Sequence, residues 1–594
     1  MTANSAQTLA SALELHKSGQ VRAAERLYRE ILSGDPRHVD ALNLLGAACL
    51  HLGNREEAIG HLQQAVAIAP SHASANDNLG VALAQAGRLE EASAAFSRAL
   101  QLNPNSAPTL INLGSAFSKQ GKITEAASAY AQAVRLQPGS APAHYELGNT
   151  LAKLNQLNEA ISHLREAVRF RPGYSEAWNN LGNLLIKQNK LDEAGDCFRK
   201  ALEINPSYAR AMSNLGVVLT EQGRLDDAVA MLEQLVRLDP AFAEGHNNLG
   251  VARMKQGQLS DALADLETAI RISPAYPEPY KNQAIVWLCQ GDYGRGWPAF
   301  ESRWKSKDYP KYSFDASRWD GSPLGGKTIL LHAEQGLGDA LQFVRYAPLV
   351  KQQGAQVVLQ TPKPIVPLLE RCEGIDQLVA LGDQLPKFDC YASLMSLPAL
   401  LRTTIDSVPN DVPYVRIAPE LVERWRDNLS LVHGFRIGIA WQGNREYRGD
   451  HLRSFPLRYF APLAQVPGVK LLSLQRGPGA EQASNPDLGF SLQQFGDDFD
   501  RTPFLDTAAV MQNVDLVITS DTAVAHLAGG LGVSVWVALG LSPDWRWMLG
   551  RSDSPWYPTM KLFRQPAVGR WDDVFAEMAA ELSVLIAQPS KGKA

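Results

Sequence analysis

The sequence predicts an all-α solenoid of repeated helix pairs followed by an α/β domain in two halves. Three observations lead to this prediction. Short motifs recur at steps of 34 residues through the first half of the 594-residue chain. This recurrence ends near residue 300, where aromatic residues become frequent. Beyond residue 327, short apolar runs alternate with amphipathic stretches, which is typical of buried parallel strands separated by helices.

Three positions of the repeat keep the same phase. The glycine of a Leu-Gly pair is found at Gly46, Gly80, Gly114, Gly148, Gly182, Gly216 and Gly250. The alanine is found at Ala24, Ala58, Ala92, Ala126, Ala160, Ala194, Ala228 and Ala262. The proline is found at Pro36, Pro70, Pro104, Pro138, Pro172, Pro206, Pro240 and Pro274. We predict two antiparallel helices per repeat, which cross closely at the glycine and the alanine.

The other repeat residues have expected packing roles. The proline closes the second helix because it lacks the N–H that an interior helical position donates. A large apolar residue stands four places after each alanine, as in Phe96 and Tyr130, and we expect it to fill the gap between neighbouring repeats. A single helix pair cannot bury its apolar face alone, so the repeats must stack.

This pattern resembles the tetratricopeptide repeat, whose arrays hold other polypeptides. We therefore assign residues 1–276 to an array of eight repeats. Residues 277–326 are interpreted as a degenerate ninth repeat and an aromatic-rich joint, because Gln283-Ala284 replaces the Leu-Gly pair.

An asparagine series precedes the Leu-Gly pair in most repeats. Its members are Asn78, Asn112, Asn180, Asn214, Asn248 and Asn282, and Leu44 and Glu146 interrupt it. These amides either satisfy local backbone groups or form a ladder on the concave surface that grips an extended peptide, since an amide both donates and accepts. A similar ladder lines the superhelix of O-GlcNAc transferase. We favour the ladder, and predict that these asparagines contact a protein acceptor.

Six apolar runs in the second half read as buried parallel strands. They cover 328–332, 356–359, 436–441, 470–474, 516–519 and 533–539. We predict two Rossmann-like halves, 327–415 and 434–594, with a hinge at 416–433 and a C-terminal helix. In this architecture, ligands bind beyond the carboxyl ends of the strands.

A glycine-containing loop follows the first of these strands and includes Gly336, Gly338 and Asp339. A dinucleotide fingerprint would need a small residue where Leu341 stands, and a carboxylate after the second strand, which ends in Gln360 instead. The loop also lacks the glycines and the lysine of a Walker A motif. It therefore predicts a tight turn that brings backbone N–H groups and Asp339 to the cleft.

Two further elements lie in the second half. Gln442 and Gly443 follow one strand, and Arg453 comes shortly afterwards as a fixed positive charge. The run Ser520-Asp521-Thr522 leads from another strand into a helix that contains His526. A helix start with free backbone N–H groups and small polar side chains is suited to binding phosphate.

The segments 334–346, 436–458 and 516–532 resemble the heptosyltransferase-type glycosyltransferases of family nine, which have the GT-B fold. They also resemble bacterial proteins that fuse tetratricopeptide repeats to such a domain, among them flagellin glycosyltransferases. The resemblance implies that Asp339 is the general base, that Ser520, Asp521 and Thr522 hold the donor diphosphate, and that Arg453 contacts donor phosphate. It does not extend to heptose specificity, because Ala523 replaces the family's glycine and Arg453 replaces a frequent lysine.

We therefore predict a metal-independent glycosyltransferase that moves a sugar from a nucleotide sugar to Ser or Thr hydroxyls. The acceptor is a protein recruited by the repeats, with flagellin as the suggested one. Asp339 is the predicted catalytic residue. The predicted donor-binding residues are Gly336, Gly338, Gln442, Arg453, Ser520, Asp521, Thr522 and His526. No cofactor is expected beyond the nucleotide-sugar co-substrate.

Alternatives to this prediction remain. Asp339 could instead cap its helix, and the chain could be an inactive scaffold or a transferase for lipopolysaccharide-type glycans.

Composition narrows the possible partners and the compartment. A net charge of -5 gives no reason to expect nucleic acid as a partner. The five cysteines are scattered and odd in number, which argues against a disulfide framework or a zinc site. Neither a signal-peptide core nor an apolar run of membrane-spanning length is evident in the sequence. We therefore expect a cytoplasmic protein without membrane insertion.

Overall fold

The computed structural model describes residues 3–306, 309, 312–447, 449–496, 498–542 and 544–587. The last seven residues of the predicted second half, 588–594, lie outside the described residues. The chain divides into two compact units, Met1–Leu215 and Gly216–Ala594. Among the described residues, no helix combines the length and the apolar character needed to cross a bilayer.

Paired helices make up the repeat region. They are α1 (Ala3–Lys17), α2 (Val21–Gly34), α3 (Val39–His51), α4 (Arg55–Ile68), α5 (Ala73–Gln85), α6 (Leu89–Leu102), α7 (Ala107–Lys119), α8 (Ile123–Leu136), α9 (Ala141–Lys153), α10 (Leu157–Phe170), α11 (Ser175–Lys187), α12 (Leu191–Ile204), α13 (Ala209–Glu221), α14 (Leu225–Leu238), α15 (Ala243–Lys255), α16 (Leu259–Ile272), α17 (Glu278–Cys289) and α18 (Tyr293–Phe300). The array is the predicted all-α solenoid, with each second helix ending just before the recurring proline.

The turn between the two helices of a repeat needs a left-handed residue. Glycine supplies it in most repeats, for example Gly53 at φ +85° and Gly87 at φ +79°. Asn155 and Asn189 take the same conformation at φ 61° and 58°. Glycine and asparagine are the residues that adopt this region at least cost, so the turn constrains the sequence as strongly as the helix crossing does.

The Leu-Gly glycine lies where the two helices of its own repeat cross. A Cβ on Gly80 would lie 2.5 Å from the ring of Phe96, and one on Gly114 would lie 2.7 Å from the ring of Tyr130. The large apolar residue therefore lies directly over the glycine of its own repeat, whereas the sequence led us to expect it between repeats. The ring fills the volume that the missing side chain leaves.

We expect Gly80→Ala to lower the unfolding free energy of the first unit by about 1–3 kcal/mol, because the added methyl group overpacks the contact with Phe96. Thermal unfolding followed by far-UV circular dichroism measures the change. Gly60→Ala is the matched control, since this glycine lies within α4 and a Cβ there meets nothing within 4 Å. The control substitution should leave the unfolding free energy unchanged or raise it, because alanine is a better helix former than glycine. Equal effects of the two variants would contradict the crossing role.

Aromatic side chains pack α18 against the α/β region within the second unit. Tyr293 and Trp297 are both 1% exposed. The ring centroids of Trp297 and Trp545 are 5.1 Å apart, and the Trp556 indole N–H donates to the Tyr293 hydroxyl at 3.1 Å. The degenerate ninth repeat thus supplies part of the core of the α/β region.

The α/β region contains two sheets whose paired strands are all parallel. The strands are β1 (Ser317–Arg318), β2 (Thr328–His332), β3 (Gln356–Thr361), β4 (Gln377–Ala380), β5 (Cys390–Ser393), β6 (Phe435–Ala440), β7 (Val469–Ser473), β8 (Leu492–Gln493), β9 (Leu516–Ser520), β10 (Val535–Leu539) and β11 (Met560–Arg564). The first sheet has the order β1-β5-β2-β3-β4, and the second has the order β11-β10-β9-β6-β7-β8. The register of the second pairs Ile437 of β6 with Leu471 of β7 and Leu516 of β9.

Helices lie between these strands and after the last one. They are α19 (Leu337–Phe343), α20 (Ala347–Lys351), α21 (Val366–Leu369), α22 (Leu397–Leu400), α23 (Pro419–Asn428), α24 (Asp450–Arg453), α25 (Ala461–Ala464), α26 (Leu505–Met511), α27 (Ala523–Gly530) and α28 (Trp571–Ala587). The 3₁₀ helices are Glu301–Lys305, Val344–Tyr346, Lys363–Ile365, Leu394–Ser396, Ile405–Ser407, Leu457–Phe460 and Ala480–Ser484. The predicted hinge, 416–433, contains α23.

Each sheet has one place where the strand order reverses. In the second sheet, the chain runs from β6 outward through β7 and β8 and then returns to place β9 on the other side of β6. In the first sheet, β2 has the same position between β3 and β5. Ligands of parallel sheets bind at the carboxyl ends of the strands that flank such a switch point. The loops after β2, β5, β6 and β9 are therefore the places to look for a site.

Candidate active site

Gly443, in the loop after β6, lies where three elements meet. A Cβ at this position would lie 2.4 Å from Oδ1 of Asp450, 2.9 Å from Nη2 of Arg453 and 3.2 Å from Cγ2 of Thr522. Two of these groups belong to α24 and the third begins α27. A glycine is needed here because any side chain would push these elements apart.

A buried glutamine holds the main chain of this loop. The Gln475 Oε1 accepts from the N–H groups of Trp441 and Gln442 at 2.9 and 3.0 Å. Its Nε2 donates back to the carbonyl of Gln442 at 3.0 Å and to that of Pro478 at 2.8 Å. The backbone of Gln442 is thus fixed, whereas its side-chain Oε1 has long contacts of 3.4 Å with Arg445 and 3.5 Å with Gln482.

Arg453 is a half-buried cation at the edge of this site. Its Nε lies 3.3 Å from Oδ1 of Asp450, and its guanidinium carbon lies 4.5 Å from the ring centroid of Tyr447. The side chain is 28% exposed, so it can still reach a ligand. Its positive charge also opposes the rise that burial causes in the pKa of Asp521, which shows that Arg453 lies near the start of α27.

The predicted diphosphate-binding run follows β9. Ser520 is fully buried, and its hydroxyl has no hydrogen-bond partner among the described residues. The Thr522 hydroxyl donates to the carbonyl of Ser520 at 3.4 Å. Burial raises the pKa of Asp521 to about 6, and the neighbouring carboxylate of Asp544 adds to the rise. The protonated form of this carboxyl group would repel a phosphate less than the ionised form.

His526 joins the two halves at the same place. A Cβ on Gly338 would lie 2.7 Å from its Cδ2, so the helices α19 and α27 approach each other closely here. The imidazole Nδ1 is 2.8 Å from the Tyr557 hydroxyl, and the ring stacks on Trp547 with centroids 5.3 Å apart. Burial, followed by the charges of three arginines, holds the pKa of His526 well below its usual range. A donor-phosphate contact by His526 stays a prediction, and it would involve a neutral imidazole.

Asp339 has two partners, one in each half. Its Oδ2 accepts the N–H of Gly336 at 2.9 Å, which caps the first turn of α19. Its Oδ1 forms an ion pair with Arg546. Asp339 is the third residue of α19 and is not its N-cap, which is Gly336, but its bond to the Gly336 N–H stabilises the start of the helix, and the same side chain faces the opposite half.

Arg546 is a site residue that the sequence analysis missed. It is 8% exposed, and its Nε donates to Oε1 of Gln342 at 2.9 Å. Its Nη1 lies 3.0 Å from Oδ2 of Asp544, and its guanidinium lies over the ring of Trp545 at 4.2 Å. The signal that could have revealed it is the Asp-Trp-Arg-Trp run at 544–547, where two charges stand within an aromatic segment.

A second buried ion pair lies at the switch point of the first sheet. Glu334, in the loop after β2, pairs with Arg303 at 2.9 Å, and both side chains are fully buried. Arg303 also donates to the Ser396 hydroxyl, which follows β5, at 2.7 Å. Arg303 comes from the 3₁₀ helix that follows the ninth repeat.

The asparagine series lies in the repeats, where all six side chains are half-buried. Four amides donate mainly to the preceding repeat. The contacts are Asn78 to Asn43 at 2.8 Å, Asn180 to Asn149 at 2.9 Å, Asn214 to Asn179 at 2.9 Å and Asn282 to Asn247 at 2.9 Å. Asn248 accepts from Asn247 at 3.1 Å. The four donated bonds join side chains of neighbouring repeats, where the simpler interpretation expected local backbone contacts. Peptide contact by the series, Asn112 included, stays a prediction.

Within the described ranges, no three His, Cys, Asp or Glu side chains are grouped so that they could hold a metal ion. The metal independence predicted from the sequence stays a prediction.

Two family models described as tetratricopeptide repeats match the chain. One matches residues 71–139 and 173–241, and the other matches 9–73, 111–175 and 213–277. Protein FlbA of Caulobacter vibrioides is 29% identical over 317 residues, which cover 49% of this chain and 52% of FlbA. The chain thus spans about half the length of this relative.

Solved structures of repeat proteins are similar to parts of the chain. YrrB, described as a tetratricopeptide-repeat protein with an unusual peptide-binding site, is 26% identical, with a TM-score of 0.29, and the match covers 32% of this chain and 96% of YrrB. MamA is 25% identical, with a TM-score of 0.27, and the match covers 27% of this chain and 95% of MamA. The family models together cover residues 9–277 without a gap, and this part of the chain is a tetratricopeptide-repeat solenoid.

Proposed function

We propose that this protein is a glycosyltransferase that moves a sugar from a nucleotide sugar to a Ser or Thr hydroxyl of a protein recruited by its repeats. One observation carries the proposal. Asp339, after a strand of the first sheet, contacts Arg546 of the second half beside the switch point of the second sheet. A carboxylate that can act as a base thus lies next to the loops where a donor would be held.

The surrounding groups support the three tasks that sugar transfer requires. The start of α27, with Thr522, and the backbone of the loop at Gly443 can hold the donor phosphates. Arg453 and the backbone N–H groups of α27 can stabilise the negative charge that develops on the leaving phosphate. Asp339 can accept the proton of the acceptor hydroxyl.

The repeats support the choice of a protein as the acceptor. A tetratricopeptide-repeat solenoid presents an extended surface of stacked helices, on which a polypeptide can lie over many repeats. Among acceptors, flagellin is suggested by the resemblance to flagellin glycosyltransferases. The asparagine series is the proposed contact with the acceptor backbone.

Two experiments test the function. Thermal unfolding of the full chain in the presence of UDP, GDP, ADP or CMP should reveal a nucleotide that raises the midpoint, since a ligand of the native state stabilises it. Mass spectrometry of cellular proteins should reveal a glycan that is lost when Asp339→Asn replaces the wild-type chain. Loss from a lipopolysaccharide-type glycan would favour that acceptor class. If no glycan changes, neither the protein acceptor nor the lipopolysaccharide-type acceptor is supported. The inactive scaffold is then the remaining hypothesis.

We expect Gly443→Ala to weaken binding of the stabilising nucleotide at least tenfold, because the new methyl group would displace Asp450 and Arg453. Isothermal titration calorimetry measures the dissociation constant. Gly496→Ala is the matched control. This glycine lies in the same half, and a Cβ there would have no atom within 4 Å. Unchanged affinity in Gly443→Ala would show that this loop is not part of the donor site.

A further inference from the structure

The guanidinium of Arg546 is shared by groups from both halves. Nε donates to Gln342 of α19 at 2.9 Å, Nη1 contacts both carboxylate oxygens of Asp544 at 3.0 and 3.1 Å, and Nη2 pairs with Asp339. Each nitrogen of the guanidinium is therefore engaged. Because the contact with Asp339 takes only one of the two N–H groups of Nη2, a donor phosphate that is to accept from both of them must replace Asp339.

The charges of the site make such a replacement necessary. Four carboxyl groups, Asp339, Asp450, Asp521 and Asp544, lie around two guanidinium groups, Arg453 and Arg546, and the charge of Arg345 also acts on His526. Burial and these arginines hold the pKa of His526 well below its usual range, which disfavours a positive charge on the imidazole. A phosphate brings further negative charge, so the two arginines must turn toward it if the donor is to bind with favourable electrostatics.

Asp339 is the partner that can be released without disturbing its position. Its Oδ2 remains bonded to the N–H of Gly336 at 2.9 Å when Oδ1 loses Arg546. Asp544, in contrast, lies two residues from Arg546 on the same loop and accepts the backbone N–H of Arg546 at 2.9 Å. The ion pair with Asp544 is thus local, whereas the one with Asp339 bridges the halves.

We propose that Arg546 is a positioning residue that exchanges Asp339 for the donor phosphate and thereby makes the base available only when the donor is bound. The inference rests on the proposed glycosyltransferase function. In the transfer step, the acceptor hydroxyl gives its proton to Oδ1 of Asp339, and its oxygen forms the new bond to the anomeric carbon. The bond from that carbon to the phosphate oxygen breaks, the electron pair stays on the phosphate, and Arg546 meets the resulting charge.

A double-mutant cycle on nucleotide binding tests the exchange without measuring activity. The probe is whichever of UDP, GDP, ADP and CMP stabilises the wild-type chain. If the phosphate competes with Asp339 for Arg546, Asp339→Asn should tighten nucleotide binding about tenfold, although it removes the proposed base. In an Arg546→Gln background, binding should be weaker, and Asp339→Asn should tighten it no more than about threefold. The difference isolates the coupling between the two residues.

A control variant and a substitute for Arg546→Gln accompany the double-mutant cycle. Asp383→Asn, which removes an exposed carboxylate in the loop after β4, should leave the affinity unchanged. If Arg546→Gln does not fold, Arg546→Lys replaces it, because one ammonium cannot reproduce the separate contacts of the guanidinium with Asp339 and Asp544. Equal tightening in both backgrounds, or none in the wild-type background, would overturn the exchange while leaving the glycosyltransferase proposal intact. If none of the four nucleotides binds the wild-type chain, both proposals fail.

Discussion

Asp339→Asn is expected to lower the rate of sugar transfer by about 10²–10⁴-fold, the usual contribution of a general base. Asparagine keeps an oxygen that can accept the N–H of Gly336, so the start of α19 should be preserved. It cannot take up a proton from the acceptor hydroxyl. The rate is measured by mass spectrometry of the modified acceptor at saturating nucleotide sugar, so that a change in donor affinity does not contribute.

The control for this variant is Asp383→Asn, an exposed carboxylate of the same half, which should transfer sugar at the wild-type rate. Nucleotide binding by Asp339→Asn should be retained, which separates a lost base from a lost donor site. Wild-type activity in Asp339→Asn would show that the carboxylate only caps α19, the structural alternative that the sequence already offered.

Arg303→Met is expected to lower the unfolding free energy of the second unit by about 3–5 kcal/mol, the usual effect of removing one partner of a buried ion pair. Both Arg303 and Glu334 are fully buried, and Oε2 of Glu334 has no hydrogen-bond partner among the described residues. Without Arg303, the carboxylate would remain buried and uncompensated. Tryptophan fluorescence during denaturation reports on this unit, because eleven of the twelve tryptophans, all but Trp178, lie after residue 215.

The effect of Arg303→Met should depend on pH. Burial raises the pKa of Glu334, and Arg303 opposes this rise. A carboxyl group whose pKa is higher in the folded state than in the unfolded state loses stability as the pH increases through the interval between the two values. Removing Arg303 widens this interval, so the variant should lose more stability at pH 8 than at pH 5.

Arg295→Met is the control, since this arginine pairs with Asp292 at the surface and its side chain is 64% exposed. Exposed pairs contribute at most about 1 kcal/mol. If Arg303→Met lowers the unfolding free energy no more than this control does, the buried pair has no structural role.

Most of the fold could be predicted from local sequence patterns. The predicted strand at 328–332 coincides with β2, and the predicted strand at 516–519 differs from β9 by one residue. The strands β1, β4, β5, β8 and β11 were not predicted. The strands β1 and β8 have only two residues each, and the other three have four or five, with polar or charged residues such as Gln377, Ser393 and Lys561 among them.

The candidate site was only partly predictable. Arg453, Asp521 and Thr522 were identified from the resemblance and from residue types that suit phosphate at a helix start. Arg453 and Thr522 lie beside Gly443 because β6 and β9 are neighbours in the sheet. Arg546 does not belong to a motif of this kind. Its importance depends on Asp339, which is 207 residues away in the sequence.

The sequence by itself determined the repeat, its length of 34 residues and the succession of a helical solenoid and an α/β region. These features come from contacts between residues that are close in the chain, such as Gly80 with Phe96, and such contacts leave a periodic trace. The tertiary structure alone decided which charges meet. Arg303 with Glu334 and Arg546 with Asp339 are single, non-periodic pairs brought together only when the strands and helices pack. Coulomb attraction depends on distance in space, and no local pattern of residues records it.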